Sequence, residues 1–257
     1  MMKLDPIYIV TSTNDNYAKP LGVMLNSLLE NTADKSRIKI FIIDGNISPD
    51  NKQKLRNVVN KFNVKTTFLK VDNSLFKGFQ DRGHVSKECY YRVVIPNLLN
   101  KNIRKALYLD CDTIVKDDIS KLWSTNLDGY YLAAGEKAFR GKPSKNSLKH
   151  HKNSNRFNSG VLLINLEKWR KSNMSKKVLQ YIKNYPKPIG DQAALNTVIQ
   201  DKWLKLDPKW NYTTDHLILL PKVKPAIVHY TRSKKPWNHG HPLQNAYFKY
   251  LRTTSWK

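Results

Sequence analysis

Asp110 and Asp112 flank Cys111 and follow the apolar run Ala106-Leu107-Tyr108-Leu109. In extended backbone, positions i and i+2 project to the same side, so the two carboxylates can converge on one cation. Hard Mg²⁺ or Mn²⁺ prefers carboxylate oxygens and can bridge them to a diphosphate. The plainer alternative is an Asp that only ends a strand. The apolar run before the pair weighs against it, as does the scarcity of acids, 20 Asp+Glu in 257 residues. His229 closes a second apolar run, Ala226-Ile227-Val228, and Lys234 and Lys235 follow within six residues. A neutral imidazole there could complete a metal shell and a lysine could meet phosphate oxygens, the alternative being a satisfied or surface histidine. Arg92 lies in a largely apolar segment, which calls for a buried anion unless the side chain snorkels to solvent. Asp191-Gln192 follows Gly190 at a helix start, where capping is the alternative role. Asp117 and Asp118 read as a helix N-cap and a first-turn acid.

These residues need elements to hold them. The run 7–10 is rich in β-branched residues, a polar turn spans 11–16, and Leu21, Met24, Leu25 and Leu28 follow at helical spacing. The alternation recurs with a strand over 38–43, a helix through Leu55, Val58, Val59 and Phe62, and a strand over 64–71. Strands that are short and apolar on both faces belong in a parallel sheet covered by helices on both sides. A helix over 86–99, interrupted near Pro96, delivers the chain to the strand before Asp110. In open α/β sheets ligands collect outside the carboxyl ends of strands, which nominates the loops 11–17 and 110–113. Neither G-x-G-x-x-G nor G-x-x-x-x-G-K-[ST] occurs, so a nucleotide would be held without a dinucleotide fingerprint or a P-loop. Beyond residue 130 come a Lys-rich loop over 137–156, an apolar strand over 161–164, a helix through Trp169 and Val178 to Tyr185, a short helix over 193–199 and an aromatic tail.

The chain carries 45 Lys+Arg and a formal net charge of +25, which implies an anionic partner. Residues 101–257 hold 30 basic and 11 acidic side chains, against 15 and 9 in residues 1–100, and no carboxylate follows Asp215. The plain reading of such runs is a solvated Lys-rich face. Two cysteines, Cys89 and Cys111, form no C-x-x-C, which excludes structural zinc through thiolates and suits a reducing compartment. No apolar run approaches the roughly 18 residues of a membrane span, and residues 1–5 lead directly into a strand-like run. The expectation is a cytoplasmic protein, with Lys249, Arg252 and Trp256 offering peripheral contact to an anionic inner membrane face. A basic nucleic-acid-binding module without catalytic activity is the competing class. It would need aromatics interleaved with the basic residues, and around 137–156 only Phe139 and Phe157 qualify.

Six motifs, taken together and in order, resemble glycosyltransferase family 8, which includes bacterial lipopolysaccharide α-galactosyltransferases and glycogenin. They are Asn14-Asp15-Asn16-Tyr17-Ala18; His84-Val85-Ser86 with Tyr91-Arg92; Leu107 to Asp112; Phe157 to Asn165; Asp191-Gln192; and His229-Tyr230 through Lys235-Pro236-Trp237. The resemblance covers roughly residues 5–240. It implies an α/β GT-A fold with a Rossmann-like, mixed but mostly parallel sheet and helices on both faces. It also implies a catalytic domain over 1–240 and a basic aromatic tail over 241–257. A UDP-hexose donor (glucose or galactose), Mn²⁺ or Mg²⁺, a glycan, glycolipid or glycoprotein acceptor, and retention of anomeric configuration follow from it. Carried over by position, Asp110, Asp112 and His229 are metal ligands, and Lys235 is a diphosphate contact. Ser12, Asn14, Asn16 and Tyr17 form the uridine pocket, with Val85 at the ribose side and Cys111 between the two carboxylates. Arg92, Asn158, Asp191 and Gln192 surround the donor sugar, Gln192 nearest the reacting carbon, and His84 stands on the acceptor side. Two departures from the family pattern stand out: Asn14 where many relatives carry Asp, and Arg232 where they often carry Gly.

Overall fold

A computed structural model describes residues 5–79, 87–138, 156–238 and 240–256. In chain order the strands are β1 (Ile7–Thr13), β2 (Ile38–Asp44), β3 (Thr66–Leu69), β4 (Lys105–Leu109), β5 (Thr113–Val115), β6 (Leu132–Glu136), β7 (Phe157–Asn165), β8 (Trp203–Leu206), β9 (Tyr212–Thr213) and β10 (Ile227–His229). The helices are α1 (Ala18–Asn31), α2 (Pro49–Asn60), α3 (Ile95–Leu98), α4 (Ser120–Trp123), α5 (Leu166–Lys171), α6 (Met174–Asn184), α7 (Asp191–Ile199), α8 (His216–Leu219) and α9 (Gln244–Leu251). A seven-stranded sheet runs in the order β3-β2-β1-β4-β7-β6-β8, and a three-stranded sheet in the order β5-β10-β9. β3, β2, β1 and β4 are parallel, whereas β7 is antiparallel to both β4 and β6, and β6 is parallel to β8. The expected mixed, mostly parallel sheet is therefore present.

Its central strands are buried on both faces, as their unbroken apolar runs require. One layer of core lies between the sheet and α1, α2 and α4, and includes Ile9, Leu25, Leu55, Leu107 and Leu163. The other lies against α5, α6 and α7 and includes Val10, Tyr108, Leu162, Trp169 and Leu195. A third cluster joins α1 to α9 through Val23, Tyr247, Tyr250 and Leu251. A Cβ at position 22 would overlap the Trp256 ring, so Gly22 sits inside α1 for a close approach, against its usual cost of about 1 kcal/mol in a helix interior. Trp256 is thus packed on α1 and donates through its indole N–H to Asn51 Oδ1 at 3.3 Å.

Several local readings need correction. The segment read as one helix over 86–99 is a 3₁₀ stretch, Lys87–Val94, followed by the short α3. Pro96 has no N–H to donate and is accommodated in the first turn of α3, where that donor is not needed. The helix expected through Trp169 to Tyr185 is α5 and α6, separated at Asn173, which takes the left-handed conformation (φ 52°) that Asn tolerates. β3 is an edge strand with no fully buried residue, so it is not apolar on both faces. Asp117 and Asp118 precede α4, whose N-cap is Ile119; the Asp118 carboxylate accepts from Ser120 N–H at 2.9 Å. Phe157 is fully buried in β7 and unavailable for base stacking, while Phe139 and most of the Lys-rich stretch lie outside the described residues. No helix among the described residues is long and apolar enough to cross a membrane.

Candidate active site

The strand order places β2 and β3 on one side of β1 and β4 on the other, so a crevice opens at the carboxyl ends of β1 and β4. There the chain passes from one sheet to the other. β4 ends at Leu109, Asp110 N–H donates to Gly160 O of β7 at 2.8 Å, and β5 begins at Thr113. β10 pairs antiparallel with β5, opposing His229 to Thr113, and Tyr230 N–H donates to Asp112 O at 3.1 Å. His229 is thereby brought to the carboxylates from 117 residues further along the chain.

His229 Nε2 lies 3.4 Å from Asp112 Oδ1 and 3.6 Å from Asp110 Oδ2. The ligand atoms of the three residues all fall within 4.8 Å of one another. A Cβ on Gly160 would overlap His229 Cε1 and stand 2.7 Å from Asp110 Oδ2, so only glycine leaves room for this convergence. His229 Nδ1 is 2.8 Å from Asn211 Oδ1. The Asn211 amide is oriented by its other end, since Nδ2 donates to Asn158 Oδ1 at 2.9 Å, and that oxygen also accepts Gly160 N–H at 3.0 Å. Nδ1 therefore carries the imidazole proton and Nε2 presents its lone pair to the carboxylates, the arrangement that suits a metal ligand. Two carboxylates and one such imidazole fit a divalent cation.

Charge balance supports the same fit. Arg92 is buried and forks between Asp110 (Nη2 to Oδ1, 2.9 Å) and Asp191 (Nε to Oδ2, 3.1 Å), with its guanidinium 4.6 Å from the centre of the Tyr108 ring. Burial opposes its charge, but the neighbouring groups, Asp110 first and Asp191 among them, together outweigh that and hold the guanidinium firmly protonated. Lys235 Nζ donates to Asp112 Oδ2 and to Tyr230 O, each at 2.6 Å. Burial alone would raise the Asp112 carboxyl, yet its surroundings, the Lys235 ammonium first among them, hold it well below the ordinary carboxylate range. Among the described residues the lysine and arginine partners of Asp110, Asp112 and Asp191 are Arg92 and Lys235 alone, which leaves an excess of negative charge that a divalent cation would offset.

A cavity of about 300 Å³ adjoins the cluster, lined by Ser12, Thr13, Asn14, Asn16, Tyr17, Glu88, Cys89, Arg92, Tyr108, Asp110, Cys111, Asp112 and Lys235. Ser12 Oγ donates to Glu88 O at 3.0 Å and lies 3.1 Å from Tyr108 Oη, which donates to Asp110 Oδ1 at 2.8 Å. Tyr108, in the strand before the carboxylates, stays protonated because burial pushes its phenol well up. Asn14 Oδ1 accepts Tyr17 N–H at 3.3 Å, and its Nδ2 donates to Glu88 Oε2 at 3.2 Å. Tyr17 meets Trp237 edge to face at 5.7 Å, linking the first loop to the Lys235-Pro236-Trp237 turn. Burial, with Asp191 next, pushes the Cys89 thiol up to about 12, so it is no nucleophile at neutral pH. Arg232 does not line the cavity and pairs with Asp215.

Asp191 and Gln192 begin α7. Burial raises the Asp191 carboxyl despite Arg92, and its Oδ2 accepts from Ser159 Oγ at 3.3 Å. Gln192 Oε1 accepts Ser159 N–H at 3.1 Å, and Asn196 fastens α7 to Phe157 through both its amide ends. Of the sequence-assigned residues, His84 and Val85 lie outside the described residues; Asn158 stands in β7, holding Asn211 behind His229, and the others gather on the cavity, the metal triad or the adjoining start of α7. Glu88, Tyr108, Ser159 and Asn211 were not singled out from sequence, although each holds an assigned residue in place.

The family model for glycosyl transferase family 8 matches residues 8–240. The chain belongs to that family. General stress protein A of Bacillus subtilis (strain 168) is 36% identical over 277 aligned positions, which span 100% of this chain and 96% of that protein. A putative glycosyltransferase of Haemophilus influenzae is 32% identical, covering 90% of this chain and 72% of its own length. Among solved structures, the galactosyltransferase LgtC in complex with donor and acceptor sugar analogues superposes with a TM-score of 0.87 at 26% identity, covering 97% of this chain and 96% of that one. The family 8 chain described here accordingly has the GT-A fold and is a glycosyltransferase.

One network can be tested on metal binding alone. Asn211→Leu removes the acceptor that fixes the His229 tautomer, and loss of such a supporting partner typically weakens metal affinity about 10–100-fold. A Mn²⁺ titration followed by water-proton relaxation should show that loss. Unchanged affinity would mean that His229 is oriented without Asn211.

Proposed function

We propose that this family 8 enzyme transfers glucose or galactose from its UDP-sugar to a hydroxyl of a glycan, glycolipid or glycoprotein acceptor, with retention of configuration and dependence on Mn²⁺ or Mg²⁺. The observation that carries the reading is the convergence of Asp110, Asp112 and His229 beside the cavity at the β1/β4 crevice. In this reading the catalytic domain occupies 1–240, and 241–257 is a tail whose α9 braces α1. Asp110, Asp112 and His229 would hold the cation, which would supply charge neutralisation for the departing UDP.

The remaining work falls to the chain's own side chains. Lys235 Nζ, half-shared with Asp112, is in place to donate to a phosphate oxygen as negative charge builds on the leaving group. Tyr17 and Trp237 offer aromatic surface at the cavity edge, and Asn14 and Asn16 offer amides to the base. Asn158 has its Oδ1 occupied by two donors, so the N–H groups of its amide are what remain for a sugar hydroxyl. A covalent glycosyl-enzyme would require a free carboxylate under the anomeric carbon. Asp191 is engaged by Arg92 and Ser159, and Gln192 is a poor nucleophile, which supports substitution on a single face of the sugar. The carbonyl oxygen of Gln192 keeps one lone pair beyond the Ser159 contact with which to stabilise positive charge on the sugar ring.

The test is UDP release from a panel of UDP-sugars with Mn²⁺, with and without EDTA, together with the anomeric configuration of the product by NMR. Turnover of a UDP-hexose that EDTA abolishes and Mn²⁺ restores is the expected result. Full turnover in EDTA would remove the metal from the reading, and an inverted product would remove the single-face route.

A further inference from the structure

The transfer reaction accounts for few of the 45 Lys+Arg side chains. Arg92 is neutralised within the protein and Lys235 is shared with Asp112, so the rest of the basic surface is not explained by the donor site. Between Glu167 and Asp191 there are seven Lys/Arg and no carboxylate, and the last two, Lys183 and Lys187, lie on the approach to Asp191. That stretch forms α5, α6 and the connection that delivers Asp191-Gln192.

A second cavity of about 320 Å³ opens on this connection. Lys77 stands on one rim, and Lys183 and Lys187 on the other. All three are exposed, and none has a carboxylate partner among the described residues. Tyr185, 43% exposed, lies on the same wall and is backed by Tyr181 at a ring separation of 5.5 Å. Exposed aromatic faces suit sugar rings, and unpaired lysines suit phosphate as point charges.

The floor ties this trough to the chemistry. Tyr90 Oη donates to Ile189 O at 3.1 Å, and Tyr90 belongs to the 3₁₀ stretch whose Glu88, Cys89 and Arg92 line the donor cavity. Ile189 is two residues before Asp191. The trough and the donor cavity therefore share one wall, and a chain of sugar units reaching the reacting centre from this side would lie across the lysines.

We propose that this trough is an acceptor subsite for a phosphate ester, so that the acceptor is a phosphate-bearing glycan in which Tyr185 packs on a sugar ring and Lys77, Lys183 and Lys187 surround the phosphate. This rests on the glycosyl-transfer reading above. It adds the chemical class of the acceptor, and it is tested by binding as well as by turnover.

The binding arm titrates the protein with methyl α-glucoside 6-phosphate and with unphosphorylated methyl α-glucoside by calorimetry. The phosphate ester should bind at least about tenfold more tightly, a factor that corresponds to roughly 1.4 kcal/mol. Lys183→Ala/Lys187→Ala should erase most of that preference, because each exposed lysine contributes up to about fivefold to an anion. Lys176→Ala/Lys177→Ala, on the same helix but outside the trough, should leave it unchanged. A parallel arm with mixed phosphatidylcholine and phosphatidylglycerol vesicles separates the sources: binding that the trough variant loses for vesicles alone would assign the lysines to a lipid surface and overturn the glycan subsite. Equal binding of the two glucosides, or equal losses in both double variants, would also overturn it. UDP-sugar hydrolysis without acceptor reports on the donor reading separately and should be the same in parent and trough variant. If hydrolysis is absent while the phosphate preference and its loss are seen, the donor reading loses its support, and the trough stands as a phosphate-ester binding site but not as an acceptor subsite.

Discussion

Asp112→Asn is expected to lower UDP-sugar turnover by about 10²–10³-fold, with a matching loss of Mn²⁺ affinity, while the protein still folds cooperatively. The substitution keeps the shape of the side chain and an acceptor oxygen for Lys235 Nζ, which also donates to Tyr230 O. The Tyr230 N–H that joins β10 to this loop goes to the backbone oxygen of Asp112 and is untouched. What disappears is the negative charge facing His229 Nε2. The stability cost should be modest, about 1–3 kcal/mol, because a charge-assisted contact becomes a neutral one. Its pH dependence has a definite sign. The folded-state carboxyl is held below its unfolded value, so its stabilisation is present above about pH 4 and is lost as the pH falls towards its folded pKa. The melting temperatures of parent and variant should therefore converge in acid. Full turnover with undiminished Mn²⁺ binding would take Asp112 out of the ligand set.

The carboxylate pair was legible because an apolar strand ending in D-x-D states its geometry within six residues. His229 was legible as a strand-end histidine, and its approach to the pair depends on β10 lying beside β5, a long-range pairing that the four residues around it do not encode. The apolar run 161–164 signals a buried strand but carries no direction, so the antiparallel insertion of β7 between β4 and β6 could not be read from it. Asn211 was invisible for a different reason. It lies in the polar 3₁₀ stretch Pro208–Asn211, and its role comes from two side-chain contacts, to Asn158 and His229, at sequence separations of 53 and 18. Gly135 was equally silent, although a Cβ there would stand 2.7 Å from Asn211 Cβ. Chemistry-bearing side chains thus announce themselves by type and local spacing. The amides, hydroxyls and glycines that aim them are set by tertiary packing.

Arg92→Leu is the substitution expected to damage the fold most. Sequence left open whether this guanidinium reaches solvent or a buried anion, and the structure places it 3% exposed between Asp110 and Asp191. It also donates to Ser159 O and, through Nε, to Cys89 O at 2.9 Å, so it fastens β7 and the 3₁₀ stretch to the end of β4. Leucine would leave both carboxylates without this counter-ion and these carbonyls without this donor, and breaking a buried pair from one side typically costs about 3–5 kcal/mol. Lysine would not rescue it, since its compact ammonium is a single point charge that cannot span the positions reached by Nε, Nη1 and Nη2 of the planar guanidinium. The pH dependence identifies the cause. Burial already raises the Asp191 carboxyl, and Arg92 is the largest influence holding it down. Without Arg92 the folded-state value rises further, so the folded protein takes up more protons than the unfolded chain as the pH falls. Denaturant unfolding should therefore show the gap between parent and Arg92→Leu narrowing from about pH 7 to about pH 5. Adding Asp191→Leu to Arg92→Leu should restore part of the stability, because contacting charges couple non-additively. A gap that stays constant with pH, or a double variant whose losses simply add, would show that Arg92 acts through packing and not as the counter-ion of the two carboxylates.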